Sequence, residues 1–261
     1  MAVRAVPAAL RKLRSGIARW QRLAPGGSGA SAAARSRGTA ERSALAATHD
    51  TTGHADAIDF LTEYTLRQPD ATTCGSAALV LARMLADGQL SRQILGVRSA
   101  WGTDSDGVQA RFAAEVLMTH GRTNRVRDCA GRLQIPWPRA LGTLPSAAAR
   151  YLGGGSIPGE PVPFASPYKV SVVDPSHRER AFQRLIASAG DGYPCPVYVG
   201  DGYSPRHVVL ALPGSADGRI RYYEPSAGTL QNWDLALFTG PDFTVAGWPQ
   251  PWLLVAPLTR R

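Results

Sequence analysis

Between Ala77 and Leu85 the chain reads AALVLARML, with Arg83 its one polar residue. A helix that is apolar nearly all round has no solvent face and must lie between layers of protein. Any fold for this chain must therefore bury this helix and pack the rest around it. The residues in front of it read Arg67-Gln68-Pro69-Asp70-Ala71-Thr72-Thr73-Cys74-Gly75-Ser76. Asp70, Thr72 or Thr73 is expected to cap the helix, and Gly75 allows close backbone approach at its start. Asp87-Gly88 is expected to end it. Cys74 thus stands at the head of a buried helix, where the helix dipole favours a thiolate.

The 261 residues suffice for a sizeable core. The net charge of +9 suggests a polyanion binder, but its distribution does not. Residues 1–49 carry nine basic residues and the single acid Glu41, which accounts for +8 of the total. The body is near neutral, which argues against specific nucleic-acid binding. Within residues 1–24, Val3, Val6, Leu10, Leu13, Ile17, Trp20 and Leu23 recur at helical spacing between basic residues. This segment reads as a basic amphipathic arm, suited to a weak contact with an anionic membrane surface or a partner. Residues 25–55, rich in Gly, Ala and Ser, read as a flexible linker. Residues 56–261 read as the folded domain. No run is apolar over the ~20 residues that span a bilayer, and no secretory h-region follows the basic start. The expectation is a cytoplasmic protein, peripheral at the membrane if the arm engages one. Cys74, Cys129 and Cys195 form neither a disulfide framework nor a zinc motif, so no metal and no cofactor is expected.

Several helices come first. Val108–His120 places Phe112, Val116 and Leu117 on one face, and another helix covers Pro145–Leu152. Asp104-Ser105-Asp106-Gly107 lacks the later ligands of a calcium loop and reads as a turn. Strands follow at Tyr168–Val173, Pro196–Val199, His207–Leu212, Ile220–Glu224 and Leu253–Val255. A helix over Ser176–Ser188, with a Ser176/Glu179 capping box, and a helical turn over Trp233–Phe238 interrupt them. Helices first and antiparallel strands afterwards make an α+β pattern.

A thiol nucleophile needs a base, a group to orient that base and donors for an oxyanion. Gln68 is close enough in sequence to offer an amide N–H beside Cys74, whose own backbone N–H is a second donor. Among the histidines, His49 and His54 fall in the linker, His120 ends a helix, and His177 starts one. His207 opens the core strand HVVLAL and suits a general base. If it pairs with Ile220–Glu224, Glu224 returns beside it to orient the imidazole. Cys129 in RVRDCAGR and Cys195 in Pro-Cys-Pro lack this setting and read as structural or incidental.

In this order, Gln-x5-Cys-Gly, then His-Val-Val-Leu, then an acid before Pro resembles the papain-like cysteine peptidases. The bacteriocin-processing, double-glycine peptidase family and its stand-alone relatives are the nearest likeness, over about Arg67–Leu85 and Val170–Phe238. The resemblance implies a helical N-terminal half with a buried nucleophile helix, packed on a C-terminal antiparallel sheet. It implies Cys74 as nucleophile, His207 as base, Glu224 as orienting acid and Gln68 as oxyanion donor. The implied activity is cleavage of a peptide or isopeptide bond in a peptide or protein substrate through a thioester. A transamidase and a catalytically idle peptide-binding module are the alternatives. Two departures stand out. Glu224 replaces the family's usual Asp, and residues 98–165 are an insertion atypical of the family, expected to shape the cleft.

Overall fold

The computed structural model describes residues 58, 60–96, 104–127, 133, 142–153, 164, 166–214 and 217–258. The readings for the arm, the linker and Cys129 lie outside the described residues. The apolar run forms helix α1, Cys74–Ala86, in which every residue but Ala86 is buried. Burying Leu79, Leu81 and Met84 is worth about 2 kcal/mol each against leaving them in water. Arg83 does not reach solvent either. Its guanidinium donates to the Tyr151 hydroxyl at 3.2 Å and faces Glu115 and Asp87 at 3.7 and 3.8 Å. A buried cation is tolerable only when paired in this way.

Asp87 does end α1, but no loop follows. Its carboxylate accepts from Gln89 and Leu90 and starts α2, Gly88–Leu95, a helix not expected from the sequence. Helix α3 spans Ser105–Thr123, and α4 spans Pro145–Leu152 as expected. The Asp104–Gly107 stretch is the N-cap of α3, with the Asp104 carboxylate accepting from Gly107 N–H at 2.9 Å. The buried residues of α3 are Val108, Phe112, Val116, Thr119, His120 and Thr123. Leu117 is 50% exposed, not among them. It follows Val116 by one residue, about 100° around the helix, and so rotates off the Val116 side.

The strands are β1 (Tyr168–Val172), β2 (Cys195–Gly200), β3 (Pro205–Ala211), β4 (Ile220–Glu224), β5 (Thr229–Trp233) and β6 (Gln250–Pro257). They form one sheet in the order β1-β6-β2-β3-β4-β5, antiparallel throughout. Strand β5 was not expected; the structure gives the edge of the sheet to TLQNW, in which only Trp233 is buried. Helix α5, Arg178–Gly190, follows a 3-10 turn at Pro175–His177. The expected Ser176 cap is absent. Asp174 accepts from the Ser176 N–H at 2.9 Å instead, because the chain tightens into the 3-10 turn one residue after it. Helix α6, Leu235–Thr239, is capped by Asp234.

Side-chain alternation along the strands divides the interior in two. Tyr198, Val208, Leu210, Tyr223, Leu253 and Val255 join the α1 side. Val197, Val209, Ala211, Tyr222, Leu254 and Ala256 join α5 and α6, where Trp233 stacks on Tyr222 at 4.0 Å beside Phe238 and Phe243. The protein is thus an α+β fold with helices on both faces of an antiparallel sheet. Among the described residues no helix is long and apolar enough to cross a membrane.

Candidate active site

The site is built where α1 begins over strands β3 and β4. Residues 69–73 make a tight turn around Asp70. Its carboxylate accepts from the Thr72 N–H and hydroxyl, both at 2.7 Å, and its carbonyl accepts from the Thr73 hydroxyl at 3.0 Å. The expectation that one of these three caps α1 is therefore corrected. They bond to one another, and Thr73 occupies the N-cap with no side-chain cap bond. An N-terminus without such a cap keeps its positive end available to a ligand.

Gly75 lets the first turn of α1 settle against its neighbours. A Cβ there would stand 2.8 Å from Thr143 Cβ and 3.5 Å from Val208 Cγ2 on β3. Ser76 continues the contact, its hydroxyl 2.9 Å from Thr143 Oγ1 and 3.2 Å from His120 Nδ1. His120 does not end the helix, although the sequence suggested it. It is 6% exposed, lies within α3, and spends its ring on Ser76 and Asn124.

Strands β3 and β4 are neighbours, paired Leu210 to Tyr223 and Ala211 to Tyr222. His207 and Glu224 lie beyond that ladder, one on each strand. His207 Nε2–H donates to Glu224 Oε1 at 2.6 Å, with both side chains buried. The bond to Glu224 leaves Nδ1 over, and the nearby Cys74 side chain acts on the imidazole. Burial by itself would push the imidazole down. The bonds and charges of Cys74 and Glu224 outweigh burial and bring His207 up to about 9. Burial likewise works against the Glu224 carboxylate, but His207, Ser226 and Ala227 hold it down at about 2. Glu224 also accepts from the Ser226 N–H at 2.9 Å, the Ser226 hydroxyl at 2.8 Å and the Ala227 N–H at 2.7 Å. The extra methylene of Glu over Asp is thereby accommodated: the carboxylate folds back onto its own turn while still reaching the imidazole.

Gln68 stands beside this pair without bonding to Cys74, His207 or Glu224. Its backbone N–H donates to Pro225 O at 2.8 Å, and its side-chain Nε2 donates to Asp70 O at 2.7 Å. A primary amide has two N–H groups, so one remains beyond the Asp70 bond. Oε1 of Gln68 is buried without a hydrogen-bond partner.

The structure therefore brings together Cys74, His207 and Glu224, with Gln68 attached to the turn that holds the acid. A thiol, an imidazole and a carboxylate grouped in this way can serve chemically as a nucleophile, a base and its orienting group. His177 is elsewhere, exposed and 3.1 Å from Asp174. Cys195 is buried, its thiol pushed up to about 12 by burial. Sequence reasoning missed Ser226 and the two tyrosines that pack around the site. Tyr198 donates to Thr143 O at 3.0 Å and Tyr223 to Leu66 O at 2.6 Å. Burial raises both phenols; Cys74 adds to it in Tyr198, and Glu224 followed by Cys74 adds to it in Tyr223. Ser226 had a readable signal, a hydroxyl two residues after an acid in Glu-Pro-Ser. The tyrosines had none beyond strand periodicity.

Compared with known proteins, the chain matches no family model, no curated protein and no solved structure.

Proposed function

We propose that the chain is a cysteine-dependent hydrolase of peptide or isopeptide bonds, built on a papain-like fold. The observation that carries this reading is the series Cys74, His207, Glu224, closed by the 2.6 Å bond from Nε2 to Oε1. The resemblance to the bacteriocin-processing peptidases rests on the same residues in the same order.

In this reading His207 takes the thiol proton and remains charged against Glu224. The Cys74 sulfur attacks the substrate carbonyl, and the C–O π electrons move onto oxygen. The Cys74 backbone N–H and the free N–H of Gln68 stabilise that oxyanion. When it collapses, the C–N bond breaks and His207 protonates the leaving amine, which leaves a thioester on Cys74. Water, deprotonated by His207, attacks the thioester and releases the acid. An incoming amine in place of water gives transamidation by the same steps. Glu224 keeps Nε2 protonated, so Nδ1 faces the sulfur throughout.

The test is labelling with iodoacetamide near pH 7, read by mass spectrometry of the intact and digested protein. Rapid labelling of Cys74, slowed at least tenfold in His207→Ala, supports the reading. Equal and slow labelling of every cysteine, unchanged in His207→Ala, sinks it and leaves an idle peptide-binding module.

A further inference from the structure

The segment outside the family's usual extent does something other than line a cleft. Helix α3 comes from it, and α3 reaches the peptide unit that precedes Gln68. The side-chain amide of Gln109 makes two bonds there: Arg67 N–H donates to Gln109 Oε1 at 2.9 Å, and Gln109 Nε2 donates to Arg67 O at 2.9 Å. One side-chain amide thus pairs with one residue's backbone as a neighbouring strand would. From the opposite side, the Gln68 N–H donates to Pro225 O at 2.8 Å. Both polar atoms of the Arg67–Gln68 peptide are therefore held, the carbonyl by α3 and the N–H by the turn after Glu224.

Further contacts fix the same place. The Tyr223 hydroxyl donates to Leu66 O at 2.6 Å, and Arg67 Nε donates to Ala227 O at 3.1 Å. Gly228, at φ +67°, lies so close that a Cβ would stand 2.8 Å from Leu66 O. A peptide clamped on both faces cannot rotate, and its direction sets where the next side chain starts. The Gln68 side chain is then fixed at its far end by the bond to Asp70 O. Of these supports, Gln109 is the one that comes from α3.

We propose that Gln109 is a positioning residue: by pairing with the Arg67 backbone it aims the Gln68 amide at the oxyanion formed on Cys74. The proposal rests on the reading of Cys74 as nucleophile and Gln68 as oxyanion donor. It gives α3 a catalytic consequence without any contact with substrate.

Two electrophiles separate this role from general damage. Iodoacetamide alkylates Cys74 by displacement of iodide and forms no oxyanion. p-Nitrophenyl acetate acylates it through a tetrahedral oxyanion; the S–C bond forms, the C–O bond breaks and p-nitrophenolate is released. Removing an oxyanion donor costs on the order of 10²-fold or more, and misaiming one is expected to cost about tenfold. Gln109→Ala should therefore release p-nitrophenolate about tenfold more slowly, with the iodoacetamide rate within twofold of the parent. The double variant Gln68→Ala/Gln109→Ala should be no slower than Gln68→Ala alone, because a residue acting through Gln68 has nothing left to aim. Gln109→Glu, which sets a carboxylate oxygen against Arg67 O, should lose as much as Gln109→Ala while keeping the side chain's length.

Unchanged ester turnover in Gln109→Ala overturns the proposal. So does an equal fall with both electrophiles, or losses that multiply in the double variant. A parent protein that reacts specifically with neither reagent overturns instead the reading of Cys74 on which the proposal stands.

Discussion

Replacing Glu224 with Gln tests the central pair with almost no change of shape. An imidazole raised from 6.5 to about 9 is held in its charged form by about 3 kcal/mol. The carboxylate is lowered from 4.5 to about 2 by His207 together with the Ser226 and Ala227 bonds, so only part of its shift belongs to the pair. Cys74 shares in the effect on His207, so Gln at 224 should remove about half of it. The pH at which the imidazolium loses its proton should fall by about one unit. The amide also fits its turn poorly. If its oxygen faces His207 Nε2, its NH2 meets the Ala227 N–H that Oε2 accepts at 2.7 Å, and an unpaired buried donor costs about 1–3 kcal/mol. With the base misoriented as well, turnover should fall about 10²-fold.

The pair also has a stability signature. His207 is raised, so its contribution is full below 6.5 and is lost as pH climbs through about 9. Glu224 is lowered, so its contribution is full above 4.5 and is lost as pH falls through about 2. Both are present together between about 4.5 and 6.5. There Glu224→Gln should lower Tm by roughly 5–10 °C, from at most about 3 kcal/mol over a folded body of this size. The deficit should shrink toward pH 10. The assay is the histidine ring titration followed by NMR from pH 5 to 10, with thermal melts at the same values and p-nitrophenyl acetate turnover at pH 7. An imidazole that still titrates near 9, together with turnover within twofold of the parent, would refute the reasoning.

Three further outcomes follow from packing and burial. Gly75→Ala puts a methyl 2.8 Å from Thr143 Cβ and should cost about 1–3 kcal/mol in urea unfolding, with slower alkylation of Cys74. Cys195, buried with its thiol near 12, should resist iodoacetamide in the folded protein and react only in denaturant, which peptide mapping can read. Trp233→Ala empties the second core beside Tyr222, Phe238 and Phe243 and should cost about 3–5 kcal/mol by chemical denaturation.

Much of the scaffold is legible without coordinates, because it depends on local periodicity. The apolar run Ala77–Leu85 demands a buried helix, and the structure starts that helix at Cys74. Ile220–Glu224 is a short β-rich run between turn residues and is a strand, to the residue. His207 and Glu224 could be placed together because one hairpin joins their strands, a short-range consequence of antiparallel pairing. Where partners are distant in sequence, local pattern is silent. TLQNW has no apolar alternation, yet becomes β5 because the free edge of β4 pairs with it. His120 has the sequence context of a helix end, yet it is buried within α3 and meets Ser76, 44 residues away. The Arg67 backbone meets Gln109 across 42 residues.

By itself, the sequence determined the helix that must be buried, the cysteine at its head and the strands that present a histidine and an acid. Tertiary structure alone decided that these meet and that α3 grips the segment before Gln68. The division has one physical cause: periodicity records which face of an element avoids water, and only folding decides which other element that face meets.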